Sequence, residues 1–169
     1  MPGQIIICCQ KAIDRTDEKA ILAAITRSNF HTLCDQYGLD HELVAPAISN
    51  LRVSLFNGKL SPYLLVHYQP KGKPPLIVHC LSELDGVGWF LDLLDGIEEV
   101  SLREALRKTH VVISIPLSSS QILDMGLLLA YEVARWVAEL GNGFVQGLDG
   151  GWYRLNQYGA FLLYPNLAD

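Results

Sequence analysis

The segment 121–140, QILDMGLLLAYEVARWVAEL, is the feature that most constrains the fold. Its charged residues are Asp124, Glu132, Arg135 and Glu139, and their spacing places all four on one narrow stripe of a helix. The rest of the helix circumference is apolar. Ionised side chains are costly in lipid, so these charges argue against a membrane span. We expect a long helix that is covered by a sheet and by either another helix or a second copy of the chain.

The other patterns predict a single α+β domain over residues 1–169. We expect a largely antiparallel sheet with helices packed on one face and a C-terminal β-meander. The run IIICC at 5–9 is continuous and rich in β-branched residues, which is typical of a buried strand. Alternating segments at 51–56 and 63–69 flank a turn signal at Asn57 and Gly58, and a strand at 76–82 completes a second hairpin.

Local signals also mark the ends of helices. One helix is expected to begin after an N-cap at Thr16 and to stop at Gly38. Ser118 and Gln121 have the spacing of a capping box, which predicts that the helix over 121–140 starts here.

The stretch 141–155, GNGFVQGLDGGWYRL, is rich in glycine. A phosphate-binding glycine loop follows a strand and opens a helix, whereas these glycines follow the end of a helix. We therefore assign Gly141 to the helix stop and Asp149 with Gly150 to a tight hairpin turn. The stretch predicts two strands of a meander and no site for a nucleotide phosphate.

Charge and cysteine content limit the classes of partner. The formal net charge is −5 and the basic residues are scattered, which argues against nucleic-acid binding. No secretory signal is visible, so we expect a cytoplasmic protein whose four cysteines, Cys8, Cys9, Cys34 and Cys80, are thiols. Only 18% of residues are charged, below the usual level of about 25%. This low charge favours a homo-oligomer.

A few polar and aromatic residues are candidates for a ligand site. His67 and His79 would face each other if the second hairpin closed symmetrically about Lys73, and a one-residue slip would place His79 opposite Val66. Two ligands are too few for a structural zinc site, so no metal is expected. Asp149, Trp152 and Arg154 could mark a partner or ligand surface if Trp152 is exposed.

No convergent set of catalytic residue types appears, and the G-x-S-x-G motif is absent. The layout of an amphipathic helix, a glycine and a DGGWY hairpin loosely resembles small bacterial domains, and this likeness assigns no residue a role. The sequence favours a noncatalytic interaction module that associates with itself or with a protein partner and needs no cofactor. The alternative is a small-molecule-binding protein or an enzyme whose site is assembled from distant residues. An apolar cleft with converging polar groups would favour this alternative.

Overall fold

The computed structural model describes the backbone of residues 3–13, 16–56, 59–81 and 83–164. The strands in these residues are β1 (Gly3–Cys9), β2 (Arg52–Phe56), β3 (Lys59–His67), β4 (Leu76–Leu81), β5 (Val111–Leu117), β6 (Gly143–Gln146), β7 (Trp152–Leu155) and β8 (Phe161–Leu163). They form one sheet in the order β2-β3-β4-β5-β1-β6-β7-β8. Every neighbouring pair is antiparallel. The predicted sheet and its C-terminal meander are therefore confirmed, while the turn at Asn57 and Gly58 lies outside the described residues.

The helices of the described residues complete an α+β fold, as predicted. They are α1 (Glu18–Ile25), α2 (Phe30–Tyr37), α3 (Val44–Asn50), α4 (Glu83–Asp95), α5 (Val100–Leu106), α6 (Ser119–Ile122) and α7 (Met125–Gly141). A short 3-10 helix, His41–Leu43, leads into α3.

The helix predicted over 121–140 is two helices. Ser118 and Gln121 form the predicted capping box, but this box opens the short α6. Asp124 then adopts extended backbone and accepts a hydrogen bond from the backbone N–H of Gly126 at 2.7 Å, which makes it the N-cap of α7. The side chain of an N-cap satisfies a donor that the first helical turn leaves unpaired. Asp124 therefore precedes the first residue of α7 as its N-cap, and it does not belong to the charged stripe of that helix.

The first predicted helix is also interrupted. Asp17, and not Thr16, caps α1, since its carboxylate accepts from the backbone of Ala20. Asn29 caps α2 in the same way, which breaks the helix between Ile25 and Phe30. Short polar side chains compete for backbone hydrogen bonds in this manner and so favour caps over helix interiors. The stop at Gly38 is confirmed, because this residue takes the left-handed conformation with φ of 69°.

The glycine-rich stretch forms turns and strands, as predicted, with two differences in detail. The left-handed residue after α7 is Asn142, and Gly141 is the last helical residue. A β-carbon on Gly141 would lie 2.6 Å from the Sγ atom of Cys9, so glycine permits close contact with β1. The turn between β6 and β7 spans 147–151 and is longer than the tight turn expected at Asp149 and Gly150.

Both faces of the central strand β1 are buried, which explains its continuous apolar run. Ile5, Ile7 and Cys9 join the larger core beneath α1, α2, α3 and α7. Ile6 and Cys8 join a smaller core that contains residues of α4 and α5 on the other face of the sheet. The main helical layer thus lies on one face, and α4 and α5 add a partial layer on the second.

The apolar surface of α7 is covered by its own chain. The helix packs on β1 and β6 and against α1, and most of its residues are buried. Leu140 at its C-terminal end is an exception and is 46% exposed. A second copy of the chain is therefore not needed to cover α7, which removes the packing argument for a dimer. Among the described residues, no helix has both the length and the apolar character that a membrane span requires.

Candidate ligand-binding cleft

A cleft of about 610 Å³ lies between α2, α7 and the C-terminal meander. This volume falls within the range of about 300–1,000 Å³ that is usual for small-molecule sites. Its lining is mainly apolar and aromatic, with a few polar groups. The lining residues are Leu33, Gln36, Tyr37, Ile122, Leu127, Leu128, Tyr131, Glu132, Arg135, Val145, Leu148, Asp149, Tyr153, Ala160 and Phe161. We call this feature the cleft.

Four aromatic rings in the cleft lining form a connected chain. Tyr37 at the end of α2 stacks on Tyr131 of α7, with ring centroids 5.8 Å apart. Phe161 of β8 meets Tyr131 edge-on at 6.1 Å and 69°. Tyr153 of β7 meets Phe161 edge-on at 6.4 Å and 74°. We call these four rings the aromatic wall. Because the angle between ring planes differs from one contact to the next, the rings do not form a single flat face.

The β6–β7 turn brings a carboxylate to this wall. Asp149 accepts a hydrogen bond from the backbone N–H of Gly151 at 3.0 Å and another from the hydroxyl of Tyr153. Gly147 permits this close approach, since a β-carbon there would lie 2.9 Å from Oδ1 of Asp149 and 3.1 Å from the Tyr131 hydroxyl. Asp149 itself is exposed, and no ion pair joins it to a cation among the described residues.

Tyr131 connects α7 to the same turn. Its hydroxyl accepts a hydrogen bond from the backbone N–H of Leu148 at 3.1 Å. Within the described part of the chain, the hydroxyl proton of Tyr131 is not donated to another residue. This hydroxyl can therefore donate to a molecule in the cleft while it holds the turn in place.

The charged stripe of α7 faces the turn between α1 and α2. Glu132 is only 5% exposed and pairs with Arg135, and Ser28 donates to the same carboxylate at 3.0 Å. Arg135 also donates to the hydroxyl of Ser28. Arg27 pairs with Glu139 at 2.5 Å nearer to solvent. The stripe is thus a set of ion pairs, and its inner members, Glu132 and Arg135, line the cleft.

The tyrosines of the cleft remain neutral at neutral pH. Burial raises the pKa of Tyr37 and of Tyr131, and the charge of Asp149 adds to the effect in both cases. The hydrogen bond to Asp149 is the main cause that raises the pKa of Tyr153 to about 12. Their rings therefore keep the charge distribution of neutral phenols, with a negative face and a positive edge.

No family model, curated protein or solved structure matches the chain.

Of the residues that the sequence suggested, Asp149 lines the cleft and the two histidines lie elsewhere. His79 of β4 lies opposite Tyr63 in β3, and His67 lies opposite Arg52 in β2, so the expected pairing of His67 with His79 is wrong. The alternative pairing of His79 with Val66 is also wrong, because Val66 lies opposite Leu76.

The geometry of the hairpin turn explains this register. The backbone N–H of Lys73 donates to the carbonyl of Pro70, and Gly72 between them has φ of 91°. A positive φ at this position suits glycine and closes a tight turn. The hairpin is therefore centred on Lys71, two residues before the expected centre at Lys73.

Trp152 and Arg154 lie on the face of β7 opposite to Tyr153. Trp152 is only 7% exposed and belongs to the smaller core, so it does not form the exposed surface considered from the sequence. Arg154 lies over the ring of Phe144 at 4.7 Å and donates to the Asn142 side chain at 2.9 Å. Neither residue lines the cleft.

The main residues of the cleft were missed because their partners are remote in sequence. Tyr37, Tyr131 and Phe161 come from three separate elements. A usable signal was present in α7, where Glu132 and Arg135 interrupt an otherwise apolar helix beside Tyr131. Polar groups on a largely buried helix need partners, so they point to an internal polar contact or a cleft.

Proposed function

We propose that this chain binds a small organic molecule in the cleft. The observation that carries the proposal is the combination of a volume of about 610 Å³ with a lining of four aromatic rings and a few converging polar groups. Binding sites for small molecules have this composition, with apolar walls and a small number of polar groups that fix orientation. A cytoplasmic location, expected from the sequence, is part of the proposal.

The polar groups support binding more than catalysis. The carboxylate of Glu132 is already held by Arg135 and Ser28, and that of Asp149 by Tyr153 and Gly151. A general base must reach the proton that it removes, whereas both carboxylates already accept hydrogen bonds from groups of the protein. We therefore propose a binding role without a chemical step.

A fluorescence titration with Nile red, a neutral apolar dye, tests the proposal. We expect saturable binding with one dye per chain. Ala160→Trp should abolish binding, because this exposed residue lines the cleft and a larger side chain would occupy it. Gln157→Trp is the matched control, since it lies in the same β7–β8 turn but not in the cleft lining, and it should bind as the wild type does. Equal binding by both variants, or no saturable binding, would contradict the proposal.

Self-association is a second candidate, and the edges of the sheet favour it. β2 and β8 are the outer strands, and Leu162 and Leu163 of β8 are 47% and 51% exposed. An exposed apolar edge strand can pair with another chain, either a second copy or a protein partner. Sedimentation of the wild-type protein over an about hundredfold dilution tests the homo-oligomer, because association depends on protomer concentration. A monomer mass throughout would exclude it.

A further inference from the structure

The charges that line the cleft do not balance. Glu132 and Arg135 form an ion pair and neutralise each other. Asp149 is the remaining charged residue of the lining, and it has no cationic partner among the described residues. The described lining of the cleft therefore carries one net negative charge, located on the β6–β7 turn next to the aromatic wall.

The aromatic wall favours the same sign of ligand charge. The face of an aromatic ring attracts a cation, and sites that bind quaternary ammonium groups are built from several such rings. Here Tyr131, Phe161 and Tyr153 meet at 69° and 74°, so rings of different orientation line the same region of the cleft. The negative potential of Asp149 reaches this region, as it contributes to the raised pKa values of Tyr37, Tyr131 and Tyr153.

Building on the binding role above, we propose that the ligand is an organic cation, an amine or quaternary ammonium group attached to an apolar body. Asp149 and the aromatic rings take the charged group, and the apolar body packs on Leu127 and Leu128. The hydrogen bonds from Tyr153 and Gly151 hold the carboxylate of Asp149 in place before the ligand arrives. Such prior ordering lowers the entropic cost of binding. An anionic ligand would be repelled by Asp149.

Calorimetry with two probes of the same shape tests this inference on the full chain. The cationic probe is 4-(trimethylammonio)phenol, and the neutral probe is 4-tert-butylphenol, which has carbon in place of the charged nitrogen. We expect the cation to bind about tenfold more tightly, a difference between the usual strengths of exposed and fully desolvated cation–π contacts.

Variants locate the source of the preference. Asp149→Asn keeps an oxygen that can accept from Gly151, so the turn should persist while the preference for the cation falls to about threefold or less. Phe161→Leu keeps an apolar side chain but removes a ring, and it should lower binding of the cation more than that of the neutral probe. Glu98→Gln is the control for net charge, because Glu98 is exposed and does not line the cleft. It should leave the preference unchanged.

The outcomes separate this inference from the binding role. Equal affinity for the two probes, or a preference that survives both Asp149→Asn and Phe161→Leu, would overturn the cationic ligand and leave the binding role standing. If neither probe binds, the inference is also overturned. In that case, saturable Nile red binding that is lost in Ala160→Trp would preserve the binding role, and its absence would remove both.

Discussion

The hydroxyl of Tyr131, in the middle of α7, accepts a hydrogen bond from the backbone N–H of Leu148 at 3.1 Å. This contact joins the helix to the β6–β7 turn, which carries Asp149. The position of the turn, and with it that of Asp149, therefore depends in part on a phenol that also belongs to the aromatic wall.

We expect Tyr131→Phe to lower the free energy of unfolding by about 1 kcal/mol, because the partly buried N–H of Leu148 loses its acceptor. Urea denaturation followed by circular dichroism measures the change. Tyr158→Phe is the control, since Tyr158 is 83% exposed and its loss of a hydroxyl should have little effect. Equal stability of the two variants would show that the contact with Leu148 contributes nothing.

Two acids on the charged stripe of α7 should differ in their contributions to stability. Glu132→Gln leaves the largely buried Arg135 without its ionic partner and should cost about 2 kcal/mol, somewhat less than for a fully buried pair. Glu139→Gln breaks a more exposed pair with Arg27 and should cost about 0.5 kcal/mol. Both variants are compared by urea denaturation at the same ionic strength. A larger cost for Glu139→Gln would reverse the assignment of the inner and outer pairs.

The cysteines should react at very different rates in the native protein. Burial raises the pKa of Cys8, Cys9 and Cys34, and the pKa of Cys9 reaches about 12. The thiolate is the reactive form, so these thiols should modify slowly with a disulfide reagent at about pH 8. Cys80 is only partly buried and should react first. The Cys80→Ser variant should therefore lack the fast phase of the reaction with the reagent.

Under denaturant and without reductant, all four thiols should be counted. Recovery of two from freshly purified protein would mean that a disulfide forms, contrary to the structure.

Stability should fall in alkaline solution. The pKa of Cys9 rises from 9.0 in the unfolded chain to about 12, so above pH 9 the unfolded state loses a proton that the folded state retains. The contribution of the Cys9 thiol to the free energy of unfolding is fully present below pH 9. It is lost as the pH rises towards 12, and the loss is up to about 1.4 kcal/mol per pH unit for each proton of this kind. Tyr153 acts in the same direction above pH 10. Urea denaturation at several pH values checks this, and a constant free energy of unfolding between pH 8 and 11 would contradict it.

Nucleotides should not stabilise the protein. The glycines of 141–155 lead into β6 and β7 and open no helix, so no helix N-terminus faces a phosphate there. ATP, NAD and FAD should leave the melting temperature unchanged. A saturable rise with any of them would contradict this prediction.

Local sequence determined the class of the fold. The apolar run of β1 reflects burial of both of its faces, Gly38 ends α2, and the Ser118–Gln121 capping box opens a helix. These features depend on backbone preferences and on neighbours within a few residues. Such information is present in any short window of the sequence.

Tertiary structure alone decided the site. The periodicity of α7 placed Glu132 and Arg135 on one stripe, but it did not show which element covers that stripe. Tyr37, Tyr131 and Phe161 form one wall only because α2, α7 and β8 meet in space. The register that separates His67 from His79 follows from a turn centred two residues earlier than symmetry about Lys73 required. In each case the deciding contact joins elements whose meeting depends on packing of the whole chain, and a local pattern does not encode that choice.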